Sequence, residues 1–203
     1  VNLLDDQIVD AILDAAAQDA YTVRRGAMAG TYRSRFTLIG SMNPEEGRLR
    51  PQIMDRFGLR VNVRGLVDKD ERLEVYQRVR AYRQNPSRFI AEWELATTEV
   101  LEGVLAAREI LKETEITEEA LAIGIDLVNH LEIDSARAEY TMFEAARAYA
   151  ASDGRKEAGS SDIRAVAPMA LRQRRSDFMV NFFEMQAEED EQIRQRIDEL
   201  IKD

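Results

Sequence analysis

The sequence has no cysteine at all and a single histidine, His130, in 203 residues. Disulfides, thiolate zinc sites and iron–sulfur clusters are therefore excluded together, and a nitrogen-rich metal centre has no second imidazole to draw on. Proline is scarce, at four residues, so nothing suggests an extended proline-rich linker. No apolar run approaches the roughly 20 residues that a membrane-crossing helix needs. A basic excess is lacking too: the net charge is -10, a field that repels phosphate backbones and argues against nucleic acid as a partner. The opening ten residues carry paired acids, Asp5 and Asp6, and no basic cluster, unlike a targeting segment. That pattern and the missing cysteines predict a reducing, cytoplasm-like setting.

What is present is an ordinary globular composition, 45% hydrophobic and 33% charged, enough for a buried core. Leu4, Ile8, Ala11, Ile12 and Ala15 recur at the spacing of one helical face and predict a helix ending near Asp19. Residues 21–25 and 31–35 read as the arms of a β-hairpin across a glycine-flanked connection, Gly26 to Gly30. The nearly continuous apolar run at 36–41 predicts a strand covered on both faces, and Leu59, Val61 and Val63 alternate as another. Between them a short helix can start at Pro51 and end before Gly58. Two strands of this kind need further sheet partners, from upstream or from another chain.

From Asp68 onward strand signals vanish and helical periodicity takes over. Leu73, Tyr76, Val79 and Tyr82 stripe one helix; residues 89–111 form another; Thr117 caps a third, and Asp134 or Ser135 a fourth that turns Phe143, Ala146 and Ala150 inward. A fifth starts at Ser161 or Asp162, and an acidic last helix carries Ile193, Ile197, Leu200 and Ile201. The expected layout is α/β followed by all-α: residues 1–65 as the end of an α/β layer, residues 66–203 as a helical domain. Trp93 reads as core or as an exposed partner hot spot. Two basic strips, Arg24, Arg25, Arg33 and Arg35, then Arg172, Arg174 and Arg175, read as solvated or ion-paired surface.

The most informative stretch runs from Ile39 to Gly58: Ile-Gly-Ser-Met-Asn-Pro-Glu-Glu-Gly-Arg-Leu-Arg-Pro-Gln-Ile-Met-Asp-Arg-Phe-Gly. It places an Asn after an apolar run, a Pro-Glu-Glu-Gly turn, and an Arg-Pro-x-x-x-Asp-Arg-Phe segment at fixed spacing. A neutral amide such as Asn43 at a strand's carboxyl end can orient a water against a phosphate, or it can simply cap the turn into Pro44. Arg56 offers a guanidinium whose planar fork suits a transferring phosphoryl group; the plainer alternative is a surface arginine beside Asp55. Further on, Leu131-Glu-Ile-Asp-Ser-Ala-Arg-Ala-Glu139 sets Arg137 at a helix start, where it can face an anion or pair with Glu132 or Glu139.

The 39–58 stretch resembles the sensor 1 and arginine-finger region of the AAA+ subunit of magnesium chelatase, and 131–139 resembles that family's sensor 2. Val1-Asn-Leu-Leu4 is similar to the segment that follows the family's acidic Walker B pair. The resemblance implies the C-terminal part of an AAA+ αβα core followed by a helical lid. It implies Asn43 as sensor 1, Arg56 as an arginine finger acting in trans and Arg137 as sensor 2. It further implies ATP hydrolysis with Mg2+ at subunit interfaces of a homo-oligomeric ring, driving metal insertion into protoporphyrin IX. The implied partners are a second AAA-like subunit with an integrin-type domain and, indirectly, a large porphyrin-binding subunit, in the cytoplasm or plastid stroma. Neither a Gly-x-x-x-x-Gly-Lys-Ser/Thr loop nor the Walker B acids occur here, so this chain alone is expected to be inactive. Related alternatives are a cobalt chelatase or a MoxR-like chaperone. A non-hydrolysing module would carry a proline-rich acidic linker and an Asp-x-Ser-x-Ser motif, and neither appears.

Overall fold

Asp5 opens the structure's first helix by accepting a 2.9 Å hydrogen bond from the Gln7 N–H onto its side chain, which satisfies one of the donors a helix start leaves over. The computed structural model describes residues 3–26, 28–47, 50–175 and 177–201; the expectations at Val1, Asn2, Ala27, Arg48 and Leu49 lie outside them. The chain forms two compact units, Val1–Gly58 and Leu59–Asp203.

In the first unit, α1 (Asp6–Gln18) ends at Asp19, whose φ of 52° is left-handed. The hairpin follows as β1 (Ala20–Arg25) and β2 (Met28–Arg33), with Arg25 opposite Met28. The connection is thus shorter than the five residues the glycine spacing predicts: Gly26 adopts a positive φ, 59°, and Gly30 lies inside β2 opposite Val23. Tyr21 and Tyr32 stack across the pair at 5.4 Å between ring centroids, and the Thr22 and Thr31 hydroxyls share a 3.0 Å hydrogen bond. Short α2 (Pro51–Arg56) starts on proline, whose missing N–H costs nothing at a first turn. It seats Ile53, fully buried, on Val9 and Leu13 of α1, with Leu38 and Phe57 at the edge.

The strand expected at 36–41, covered on both faces, and the alternating one expected at 59–63 do not form. Both stretches are irregular chain, and Ile39 and Val63 are each 92% exposed. A strand needs a neighbour's N–H and C=O groups, and among the described residues the only ladders are β1 with β2 and one short parallel pair in the second unit.

The second unit is helical. Asp68 caps α3 (Lys69–Gln84) by accepting from the Asp70 and Glu71 N–H groups, and Asn85 caps α4 (Pro86–Leu111) by accepting from Arg88 N–H. Tyr82, Phe89 and Trp93 form a chain of ring contacts at 5.8 and 5.9 Å between α3 and α4. Neither helix holds a described residue that is fully buried, so Leu73, Tyr76, Val79 and Tyr82 remain about half exposed. Trp93 is corrected likewise: at 38% exposure it is not core.

The core lies further on, among α5 (Glu118–His130), α6 (Ala136–Ser152) and α7 (Ser160–Leu171). Ala138, Met142, Ala146 and Ala150 fall every fourth residue along α6 and are all fully buried. Three alanines in that row let the neighbouring helices approach closely, and Ile163, Val166, Ala170 and Leu171 of α7 join the same cluster. Gly124 of α5 is required for the approach: a Cβ there would stand 2.4 Å from Phe143 Cε1. Two-residue strands β3 (Glu115–Ile116) and β4 (Glu157–Ala158) pair in parallel and tie the loops before α5 and α7. Asp162, 1% exposed, sits at the third position of α7 rather than at its cap; it accepts 2.8 Å from Gly159 N–H and 2.8 and 2.5 Å from the Arg155 guanidinium. The last helix is α8 (Asp177–Ile201), where Ile193 and Ile197 are about half exposed; the Leu200 and Ile201 side chains lie outside those described.

Candidate functional site

Arg56 ends α2, and its position follows from how that helix lies on α1. Along α1, Val9 and Leu13 form a buried row, and Asp10 and Asp14 form the next row round the helix, one turn apart. Along the facing segment Arg50, Ile53 and Arg56 recur every third residue. Ile53 fills the apolar row, and the two arginines on either side of it reach the acidic row. Arg56 Nη1 lies 3.3 Å from Asp10 Oδ1 and 3.0 Å from Asp14 Oδ1, and Arg50 Nη2 lies 3.0 Å from Asp10 Oδ2. Asp10 therefore bridges the two guanidiniums with its two oxygens. These side chains are one-third to one-half exposed, so the cluster sits at the unit's surface. The partnership of Arg56 with α1 is a feature the sequence reading missed. Its signal was there in the adjoining 9/13 and 10/14 rows and the three-residue repeat of Arg50, Ile53 and Arg56.

Asn43 precedes a single 3-10 turn (Pro44–Glu46), and its Oδ1 accepts a 3.2 Å hydrogen bond from the Glu45 N–H. That is the turn-capping geometry. The segment before it is irregular chain rather than the strand end that was expected. Asn43 and Arg56 belong to the first unit, and Arg137 belongs to the second. Arg137 is the second residue of α6, exposed, on the turn after Ser135, as the sequence predicts. Glu132, one of its suggested partners, instead holds Arg175 at 2.7 Å.

Of the two basic strips, Arg24, Arg25, Arg33 and Arg35 are exposed as expected, whereas the second is partly structural rather than solvated. Arg174, 8% exposed, donates from Nε to Ala170 O at 2.6 Å, and Arg60 donates to Arg172 O at 2.5 Å. Among the described residues no group of three or more acidic or histidine side chains is placed to hold a metal ion. No helix among the described residues is long and apolar enough to cross a membrane.

Residues 114–199 match the AAA lid domain family. Over 180 residues, 88% of this chain, the sequence is 42% identical to the magnesium-chelatase subunit ChlI homolog of Methanocaldococcus jannaschii, covering 49% of that protein. It is 40% identical over 86% of its length to the magnesium-chelatase 38 kDa subunit of Acidiphilium rubrum, covering 50% of it. A crystal structure of a candidate ATPase from Cytophaga hutchinsonii shares the fold with a TM-score of 0.60 over 84% of this chain and 55% of that one, at 21% identity. The chain spans about half the length of the curated relatives it matches. With a hairpin, a capped 3-10 turn and an arginine-bearing helix in the first unit and a match to the AAA lid family in the second, this chain is a homologue of magnesium-chelatase I-type subunits.

Proposed function

We propose that this chain is the finger-and-lid portion of a magnesium-chelatase-type motor subunit, in which ATP is hydrolysed between neighbouring protomers of a ring to drive Mg2+ insertion into protoporphyrin IX. The observation that carries the reading is identity of about 40% across nearly the whole chain with proteins named as magnesium-chelatase subunits. Arg56 is the finger. It stands at the surface on the last turn of α2, anchored by Ile53 three residues before it, a placement suited to an adjoining protomer's phosphates. Charge spreading onto the equatorial oxygens of a transferring phosphoryl group is what a guanidinium fork neutralises. Asn43 is sensor 1, holding the attacking water with the amide that also caps the 3-10 turn. Arg137 is sensor 2: near a helix N-terminus, which already favours anions, it binds the nucleotide's phosphates in cis and couples the lid to their presence.

ATP arrives with Mg2+, which neutralises phosphate charge; the residues here contribute cations and one amide. The metal insertion step belongs to a large porphyrin-binding subunit, and a second AAA-like subunit links it to the ring. The setting is cytoplasm or plastid stroma. Mixing subunits of the full-length protein tests the reading. Arg56→Ala subunits should lose about 10³-fold or more in ATP turnover. Combining them with subunits defective in the phosphate loop should restore part of it, since each supplies what its neighbour lacks. Absence of any recovery in mixed rings, or normal turnover by Arg56→Ala alone, would refute it.

A further inference from the structure

A finger arginine acts only if its guanidinium is held where the neighbouring phosphate will be, because a misplacement of about 1 Å can cost roughly 10²-fold in rate. Arginine has a long, rotamer-rich side chain, and Ile53 fixes the backbone of α2 but not the direction of a side chain one turn away. The two carboxylates of α1 do the rest. Asp10 and Asp14 both approach the same nitrogen, Nη1 of Arg56, at 3.3 and 3.0 Å, and so take hold of one corner of the fork. The second oxygen of Asp10 is engaged by Arg50 at 3.0 Å. Arg50 thereby fixes the orientation of the carboxylate that orients Arg56.

We propose that Asp10 and Asp14 are positioning residues for Arg56, with Arg50 steadying Asp10. The inference rests on the trans-acting arginine proposed above. Its physical form is a relay of side chains on two helices whose packing is set by Ile53, Val9 and Leu13. The ion pairs are half exposed and so contribute little to stability. Screened by solvent, they are weak enough to yield as charge develops on a phosphate in a site that a neighbouring protomer closes off from water. Orientation is what they supply.

Turnover by the full-length protein carrying this sequence tests the inference through Asp10→Asn/Asp14→Asn, Arg56→Ala and the triple variant. Isosteric amides keep shape and remove charge. The double variant should lower kcat roughly 10- to 100-fold while leaving the KM for ATP and the melting temperature unchanged. The triple variant should be no slower than Arg56→Ala, because a positioning residue has nothing left to act on once the arginine is gone. Asp10→Glu, which keeps the charge, should recover part of the loss. Asp14→Asn alone, which leaves Asp10 bridging both arginines, should show a smaller fall and serves if the double variant folds poorly. A triple variant slower than Arg56→Ala, or a double variant with wild-type kcat beside an inactive Arg56→Ala, overturns the positioning role and leaves the finger standing. Wild-type turnover by Arg56→Ala removes both.

Discussion

The two units reach order by different means. Among the described residues, thirteen buried ones from α5, α6, α7 and their flanking segments form one apolar cluster in the second, whereas in the first Val9, Leu13 and Ile53 make up the buried cluster. The lid's helices satisfy their own backbone groups and need only a packed face, whereas the first unit holds stretches such as 36–41 whose backbone has no ladder partner among the described residues. Stability is thus concentrated in the half that makes no proposed catalytic contact except through Arg137, while Asn43 and Arg56 ride on the thinner scaffold. Sites that must respond to ligands are drawn from the less protected parts of a structure.

The strongest way to break this comparison is to truncate one fully buried side chain in each cluster. Met142 and Ile53 are both 0% exposed. Met142→Ala opens a cavity amid helices on all sides and should cost about 2–5 kcal/mol in the lid's unfolding. Ile53→Ala sits beside partly exposed Leu38 and Phe57, which can relax into the space, so about 1–3 kcal/mol is expected. Hydrogen exchange read separately over α6 and α1 checks both. Equal costs would mean that the first unit is as well packed as the second. Ile53→Ala should also depress ATP turnover in the full-length protein, since it unseats the helix that carries Arg56.

Asp162 sharpens the comparison at the next level. Its carboxyl is held below the usual carboxylate range, first by the hydrogen bonds from Arg155 and next, against the opposing effect of burial, by the Gly159 N–H. A carboxyl with a folded pKa below its unfolded value stabilises the fold fully above the unfolded value of about 3.9. That contribution disappears as pH falls through the folded value. Asp162→Asn keeps the shape, weakens the charge-assisted bonds and should cost about 1–3 kcal/mol at neutral pH. It should also flatten the lid's loss of stability below about pH 4. Acid titrations of wild type and variant, followed by circular dichroism, give the answer; identical slopes would remove Asp162 from the account.

How much of this could be read beforehand follows the same division. Helices announced themselves, because their periodicity and caps are local: Thr117 caps the helix that follows as expected, and Ala146 and Ala150 face inward as the α6 pattern predicts. The runs at 36–41 and 59–63 have strand composition, but a strand's existence is decided by a neighbour, and composition carries no information on whether one is there. Trp93 was misjudged for a related reason, since an aromatic stripe is buried only if something covers it. Arg56 and Arg137 were singled out through motif resemblance, but the acids that hold Arg56 come from forty-odd positions earlier and become visible only when α1 and α2 are packed. Asp162 was seen as a helix-start residue, yet its pairing with Arg155 belongs to a loop conformation that spacing does not encode.

The smallest expected effect tests the α3–α4 pair, which has no fully buried residue among those described and yet holds together. Arg78 lies over the Trp93 ring, 4.5 Å from its centroid, and is itself ion-paired to Glu74. A guanidinium on an indole face is attracted by the ring's negative quadrupole, by about 0.5–1 kcal/mol at an exposed site. Part of the Trp93 surface is also covered by the side-chain stem. Arg78→Ala should therefore cost no more than about 1 kcal/mol and expose more of the ring. Trp93 is the only tryptophan in the sequence, so its emission should shift to longer wavelength and become more open to iodide quenching. Arg78→Lys keeps the charge but loses the planar stack, and should fall between the two. If emission is unchanged in Arg78→Ala, the contact does not hold the ring in solution, and the aromatic chain of Tyr82, Phe89 and Trp93 alone must be what joins the two helices there.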